Sequence, residues 1–333
     1  MKRVSLYLAL AVTVLLAGFV FSQKVTVSKV GEWGTGDYET VFIRGNFAFC
    51  APGQHGGIDI IDITIPSMPR EVGNVPVPCV ATGIYVHGFF AYITSKTGGL
   101  YIVDVTNPTH PERTGTYQTM GQARDIHING NHAYVAMGND GLEIIDISDP
   151  SAPVRAGFYK TPGNAGGVYV NGNVAFVADG PDGLAVIDVS EPVSPVPVGR
   201  RGTTGFARRV VVKDNCAYVA DHEDGLTIFD VTVPSSPTTL GRCDLPDNLW
   251  DIYVEGRYAY VANGTAGLQV VDISDPSSPV PVGGYDTRGT VKDVFACNHY
   301  AYIADGTSGK LLILRIGKPG VPPLICSNST RQR

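Results

Sequence analysis

The chain has 333 residues, a formal charge of −6 and 44% apolar residues, ordinary values for a globular protein. An acidic balance without basic clusters argues against a nucleic-acid partner and against an anionic membrane surface. Gly at 40 and Pro at 23 are high, but both recur in register with an internal repeat, so they mark turns rather than disorder.

The N-terminus reads as an export signal over residues 1–22. Lys2 and Arg3 precede an apolar run from Val4 to Phe21, and Val20 and Ser22 occupy positions −3 and −1 of a cleavage site before Gln23. The run is long for a signal core, so an uncleaved anchor is the alternative. No Cys follows the run to carry a lipid, and no later segment is long and apolar enough to span a bilayer. The expectation is a secreted, periplasmic or cell-surface chain that does not insert in a membrane after cleavage. Such compartments permit disulfides. The six Cys, at 50, 79, 216, 243, 297 and 326, fall in different registers of the repeat without Cys-x-x-Cys spacing, so they are not a zinc framework. Cys297 in a predicted turn and Cys326 after a predicted strand reach the same face and are expected to pair.

From residue 23 to residue 317 the chain repeats every 42 residues. Asp62, Asp104, Asp146, Asp188, Asp230 and Asp272 each precede x-Ser/Thr-x-Pro-x-x-Pro. Gly57, Gly99, Gly141, Gly183, Gly225, Gly267 and Gly309 open the same stretch. The third copy shows four β-type runs, at 125–129, 133–136, 142–147 and 154–159, separated by turn signals. No 3.6-residue periodicity lasts through ten residues. The third run is apolar on both faces, as in GLEIIDI, GLAVIDV and GLQVVDI, so it is covered on both sides. Four short antiparallel strands per 42 residues, covered on both faces, predict an all-β fold, a seven-bladed β-propeller.

The repeat is out of phase with the chain ends. It starts with a fourth-type strand, residues 24–33, and ends with a third-type strand, residues 310–316. A closed ring resolves the offset if the N-terminal strand completes the last blade. Gly31 is in phase with the fourth-strand glycines at 73, 115, 157, 199, 241 and 283, and Trp33 falls where other copies have Tyr117, Tyr159 and Tyr285. Within the tail, residues 318–333, the stretch GVPPLIC (320–326) loosely echoes a fourth strand and competes for the same edge.

The strands GLEIIDIS (141–148), GLAVIDVS (183–190) and GLQVVDIS (267–274), with GNHAYVA (130–136) before the first, resemble the LVIVD-repeat family of exported proteins. The resemblance implies a propeller-like domain on or outside the cell surface and carries no catalytic residues. Leu314, where the family has Asp, departs from the pattern.

The repeated Asp reads as a turn residue, its carboxylate accepting backbone N–H groups. In the seventh copy both the Asp and the Ser/Thr-x-Pro-x-x-Pro turn are missing, as expected if one serves the other. On the opposite face lie acidic loops containing Asp179 with Asp182, Asp221 with His222 and Asp224, and Asp305. Their carboxylates suit Ca2+, but Asp and Gly are also what hairpin turns require, so no cofactor and no metal is expected. The blade-linking loops on that face vary most: Asp37 and Glu39, Arg124, Arg208 and Arg209, Trp250 and Asp251, Arg288 and Lys292. Trp250 is an aromatic where other copies carry Thr82, Arg124, Gly166, Arg208 and Lys292, which fits either a partner anchor or a plug for the channel mouth. His127 reads as a packed strand residue, and His55 and His222 are too isolated for a metal pair. Nucleophile-elbow, Walker and His-Glu-x-x-His motifs are absent. The expected function is a monomeric interaction or scaffold module that meets a protein or a carbohydrate through this face. A hydrolase or lyase on the same face is the alternative.

Overall fold

The computed structural model describes residues 24–34, 37–53, 56–78 and 80–317. Among them are twenty-eight strands and no helix, arranged as seven antiparallel four-stranded sheets. Each inner strand packs against the inner strands of the sheets before and after it, and the seventh returns to the first, so the sheets form a ring. Blades 1 to 6 span residues 38–75, 81–117, 125–159, 167–201, 207–243 and 251–285. Blade 7 consists of residues 291–316 with the N-terminal strand Val27–Trp33 as its outer edge. The third copy has its strands at Asp125–Asn129, His132–Ala136, Leu142–Asp146 and Val154–Tyr159, within one residue of the periodicity reading.

The third strand of each blade is buried on both faces, because the neighbouring blades cover it. Leu142, Ile144 and Ile145 are fully buried, as are Leu184, Val186 and Ile187. Gly141 opens this strand with φ 84°, and the other six glycines of that register also have positive φ. A side chain is strained there, which accounts for the recurrence of Gly.

The other recurrent glycine has a different cause. A Cβ on Gly157, in the outer strand of blade 3, would lie 1.9 Å from the carbonyl oxygen of Pro192 in the turn of blade 4. Gly31, Gly73 and Gly115 meet Pro66, Pro108 and Pro150 at 2.0 Å, and Gly199 and Gly241 meet Pro234 and Pro276 at 2.2 and 2.5 Å. The outer strand of one blade is thus stitched to the turn of the next. Blade 7 lacks that turn, and Gly283 of blade 6 meets the carbonyl of Val25 at 2.5 Å instead. The N-terminal segment therefore fills the gap left by the missing motif. Val25 donates its N–H to Val282 (2.8 Å), and Gly317 donates to Thr26 (2.9 Å). Trp33 pairs with Leu311 and Val27 with Ile316, so the N-terminal strand closes the ring. Leu314 sits mid-strand opposite Lys29, fully buried, where a turn aspartate would have no turn to serve.

In the other six blades each aspartate accepts the N–H two residues on: Thr64, Thr106, Ser148, Ser190 and Thr232 at 2.8–2.9 Å, and Ser274 at 3.0 Å. Hydrogen bonds from the following Ser or Thr hold four of these carboxyls below the usual range. The hydroxyl contributes most at Asp62 and Asp230, and the backbone N–H contributes most at Asp146 and Asp188. A carboxyl whose pKa is lower folded than unfolded adds stability above its unfolded pKa. That stability is lost as pH falls through the folded value. Thermal midpoints are therefore expected to fall steadily once pH drops below the ordinary aspartate value of 3.8. An Asp188→Asn variant keeps an oxygen acceptor for Ser190 but cannot titrate. It is expected to lose less of its midpoint over that window, and an unchanged slope would refute the assignment.

Candidate functional site

Three layers of side chains cross the ring axis on the side where the blades are linked. The deepest is a belt from the middle of the inner strands: Phe42, Tyr85, His127, Tyr169, Val211, Tyr253 and Phe295, all buried. Phe42 contacts Tyr85 and Phe295 at 5.2 and 5.4 Å between ring centres, Tyr85 contacts His127 at 5.2 Å, and His127 contacts Tyr169 at 4.8 Å. Tyr253 and Phe295 lie 4.6 Å apart. The belt plugs the axis at this level. His127 is a member of it, as its register predicts.

Two residues up each strand lie Thr40, Gly83, Asp125, Gly167, Arg209, Asp251 and Asp293. Asp125 accepts the N–H of Val168 (3.1 Å), Asp251 that of Val294 (3.3 Å) and Asp293 that of Val41 (2.9 Å), each in the next blade. Arg209 stands 3.3 Å from Asp125 and 3.4 Å from Asp251, and donates to the carbonyls of Gly166 (2.8 Å) and Thr82 (3.4 Å). One guanidinium thereby ties blade 5 to blades 2, 3, 4 and 6. This layer holds the ring together.

The third layer forms the mouth: Glu39, Thr82, Arg124, Gly166, Arg208, Trp250 and Lys292. In blades 1, 2, 5 and 7 the ladder skips one residue at the head of the inner strand, namely Glu39, Thr82, Arg208 and Lys292. Such bulges re-aim a side chain. Lys292 pairs with Glu39 at 2.9 Å. The Arg208 guanidinium lies 3.9 Å from the centre of the Trp250 ring and the Lys292 ammonium 5.0 Å from it, while His222 meets the ring edge-on at 5.8 Å. His222 is placed by a 3.3 Å contact between Nδ1 and the carbonyl of Leu249. Burial, aided by the charges of Arg209 and Arg124, depresses the Arg208 pKa to about 10. Burial and Arg209 lower that of Arg124.

The structure thus gathers Arg124, Arg208, His222 and Trp250 around one opening. Four other residues expected on the contact surface lie elsewhere. Asp179, Asp221 and Asp305 are 0% exposed and Asp251 1%, so they support the face from beneath rather than meet a partner. Asp179 accepts from the Thr161 hydroxyl (2.6 Å) and the Gly163 N–H (2.9 Å), and Asp221 accepts from Gly205 (3.3 Å). Asp305 accepts from the Ser308 hydroxyl at 2.6 Å. Asp179 and Asp221 fasten the loops that link their blades to the preceding ones, Asp305 fastens a loop within blade 7, and burial raises all three carboxyls above the usual range. Asp182 and Asp224 remain half-buried at the loop tips, Asp224 facing Arg242 at 3.2 Å. Among the described residues no three His, Cys, Asp or Glu side chains converge to hold a metal ion. The opening itself carries three cations, Arg124, Arg208 and Lys292, against one acid, Glu39. Arg209, grouped by sequence with Arg208 in the variable blade-linking loops, lies instead in the inner layer, where its register with Asp125 and Asp251 places opposite charges together. Cys297 is disulfide-bonded, while Cys50, Cys216 and Cys243 are free. The partner proposed for it, Cys326, lies outside the described residues, as do His55, residues 1–23 and residues 318–333.

The LVIVD repeat family matches the chain seven times, at residues 35–77, 80–119, 120–161, 162–203, 204–245, 248–287 and 288–330. No curated protein sequence matches it. Among solved structures, the chain is similar to the β-propeller domain of Cps50 (Swd1) from Myceliophteria thermophila, with a TM-score of 0.71 and 12% identity over 87% of this chain and 99% of that one. It is also similar to BamB from Moraxella catarrhalis, with a TM-score of 0.64 and 13% identity over 89% and 99%. A third similar structure is the computationally designed Ika8 protein, with a TM-score of 0.64 and 7% identity over 85% and 97%. At these identities the likeness is one of fold.

Proposed function

The chain belongs to the LVIVD-repeat family, and from that premise we propose that it is an extracytoplasmic interaction module whose loop face, centred on Trp250, receives a protein partner. One observation carries this reading: the carboxylates nearest the axis are engaged with backbone N–H groups of the next blade, above a plugged channel. Acids held that way are poor general bases, which disfavours the hydrolase or lyase alternative. What differs between blades, and is presented outward, is the mouth layer. A cation from each flanking blade lies over the Trp250 ring, so a sugar would have to displace one to stack there. That favours a protein over a glycan. The disulfide at Cys297 and the leader-like residues 1–22 support a location outside the cytoplasm.

Replacing Trp250 by Ala is expected to weaken a partner captured by surface cross-linking by about tenfold or more, the effect of a central aromatic anchor. Calorimetric titration of the purified pair measures it, with a melt to show that the ring is intact. Affinity unchanged in a folded variant would remove the mouth from the interface.

A further inference from the structure

The mouth layer holds three cations and one acid, so two of the cations have no acid of their own layer to pair with. Glu39 is taken by Lys292. The carboxylates of the layer beneath are turned to other partners: Asp125 and Asp251 face Arg209, and Asp293 is bonded by Thr40, Val41 and Val294, so they offset the mouth's charge through space without pairing with Arg124 or Arg208. Arg124 and Arg208 have no carboxylate salt bridge among the described residues. The Nε of Arg124 is buried without a hydrogen-bond partner. Arg208 is held instead on the face of Trp250. It sits on a strand-head bulge, so the local backbone departs from the ladder at this residue. An unpartnered guanidinium N–H out of water is costly, and the neighbouring cations add to the cost. Both arginines respond to the shared field, their pKa values lowered by burial and by neighbouring cations. Gly166, between them in blade order, contributes no side chain.

We propose that the mouth is an oxyanion site, in which Arg124 and Arg208, flanked by Lys292, bind a carboxylate or phosphate group. Guanidinium forks match the planar edge of a carboxylate and the oxygens of a phosphate, and each hydrogen bond so formed is charge-assisted. Trp250 fixes the Arg208 fork before the anion arrives, which lowers the ordering cost of binding. The anion is either a free small molecule or an acidic side chain of a partner. In the second case the inference rests on the interaction reading above, and it names the group on the partner that enters the mouth.

The test uses inorganic phosphate and a hexaglutamate peptide, each against chloride at equal ionic strength. Either probe is expected to raise the thermal midpoint of the full chain by about 3 °C or more at saturation. The gain should vanish in Arg124→Gln and in Arg208→Gln, and persist in Arg113→Gln, which alters an exposed arginine on the outer strand of blade 2. Both mouth variants should fold, since each removes a repelled charge. Arg124→Gln also leaves the Arg208–Trp250 stack in place. Phosphate alone effective assigns a small free anion, and hexaglutamate alone effective assigns a peptide carboxylate. Both probes without effect, or equal effects in wild type and the two mouth variants, overturn the proposal. A partner captured without any anion response would sink the oxyanion site and spare the interaction reading. An anion response from a chain that captures no partner would do the reverse.

Discussion

A chain shortened to begin at Gly34 is expected to lose the closed ring. Deleting residues 24–33 strips Lys310–Ile316 of its outer partner, a ladder running from Val27↔Ile316 to Trp33↔Leu311. It also removes Val25, Val27, Val30 and Trp33, which pack against the core. Full burial of one Val or Leu side chain is worth about 1.5–3 kcal/mol. Four partly buried side chains plus the strand's hydrogen bonds therefore approach the roughly 5–15 kcal/mol that holds a typical domain folded. Two stitches go as well, Gly31 with Pro66 and Gly283 with Val25. The bared edge is apolar, with Leu311, Leu312, Ile313 and Leu314 buried in the intact ring, and such edges recruit other chains. The expected result is aggregation, or a melt lowered by about 15 °C or more, read by light scattering after size exclusion and by calorimetry. A peptide of residues 24–34 added in trans should restore part of the loss by strand addition. A truncated monomer melting at the full-length temperature would show that the ring does not depend on this strand.

The fold was legible because the repeat exposes its own grammar. A 42-residue period with four β-runs gives the blade, and the phase offset between Lys24 and Ile316 predicts the closure. The turn role of the aspartates could be inferred because the seventh copy loses Asp and turn together. The site was less legible, for two physical reasons. Whether an acid in an Asp-Gly loop points outward or folds back is set by its hydrogen bonds and not by composition. Asp179 and Asp182 look alike in ADGPDG, yet Asp179 is fully buried on Thr161 and Gly163 while Asp182 is half-exposed. The mouth, moreover, is assembled across the ring. Glu39 meets Lys292, 253 positions apart, and Arg209 reaches Thr82, 127 positions away. Register analysis places such residues in one layer, but the bulges that turn Arg208 and Lys292 leave no periodic mark. The acidic composition of the chain likewise hid a cationic centre, because the acids lie around it and beneath it.

The recurrent outer-strand glycine provides a sign test for how the blades are joined. Gly→Ala at an unstrained, open position stabilises by about 0.4–1 kcal/mol, because alanine narrows the unfolded ensemble. Gly202 is such a position, with nothing within 4 Å of a built Cβ, so Gly202→Ala is expected to leave the midpoint unchanged or slightly raised. Gly157→Ala should do the opposite. Its φ is not in the left-handed region, so the backbone alone would accept alanine. The obstacle is the carbonyl of Pro192 at 1.9 Å and its carbon at 3.0 Å, with the ring of Pro195 at 3.3 Å. These belong to the turn that Asp188 pins through Ser190, so they cannot swing aside as a flexible side chain would. Either blade 4 moves away from blade 3 or the bulge opposite Val186 and Ile187's counterparts in blade 3, Ile144 and Ile145, is undone. Overpacking of this kind costs about 1–3 kcal/mol, and a backbone contact belongs at the upper end. The expected loss is roughly 5–10 °C in thermal midpoint. Opposite signs for Gly157→Ala and Gly202→Ala in calorimetric melts would tie the recurrence of this glycine to the approach of the next blade's turn. Equal signs would mean that the stitch yields, and that burial of the third strands alone keeps neighbouring blades in register.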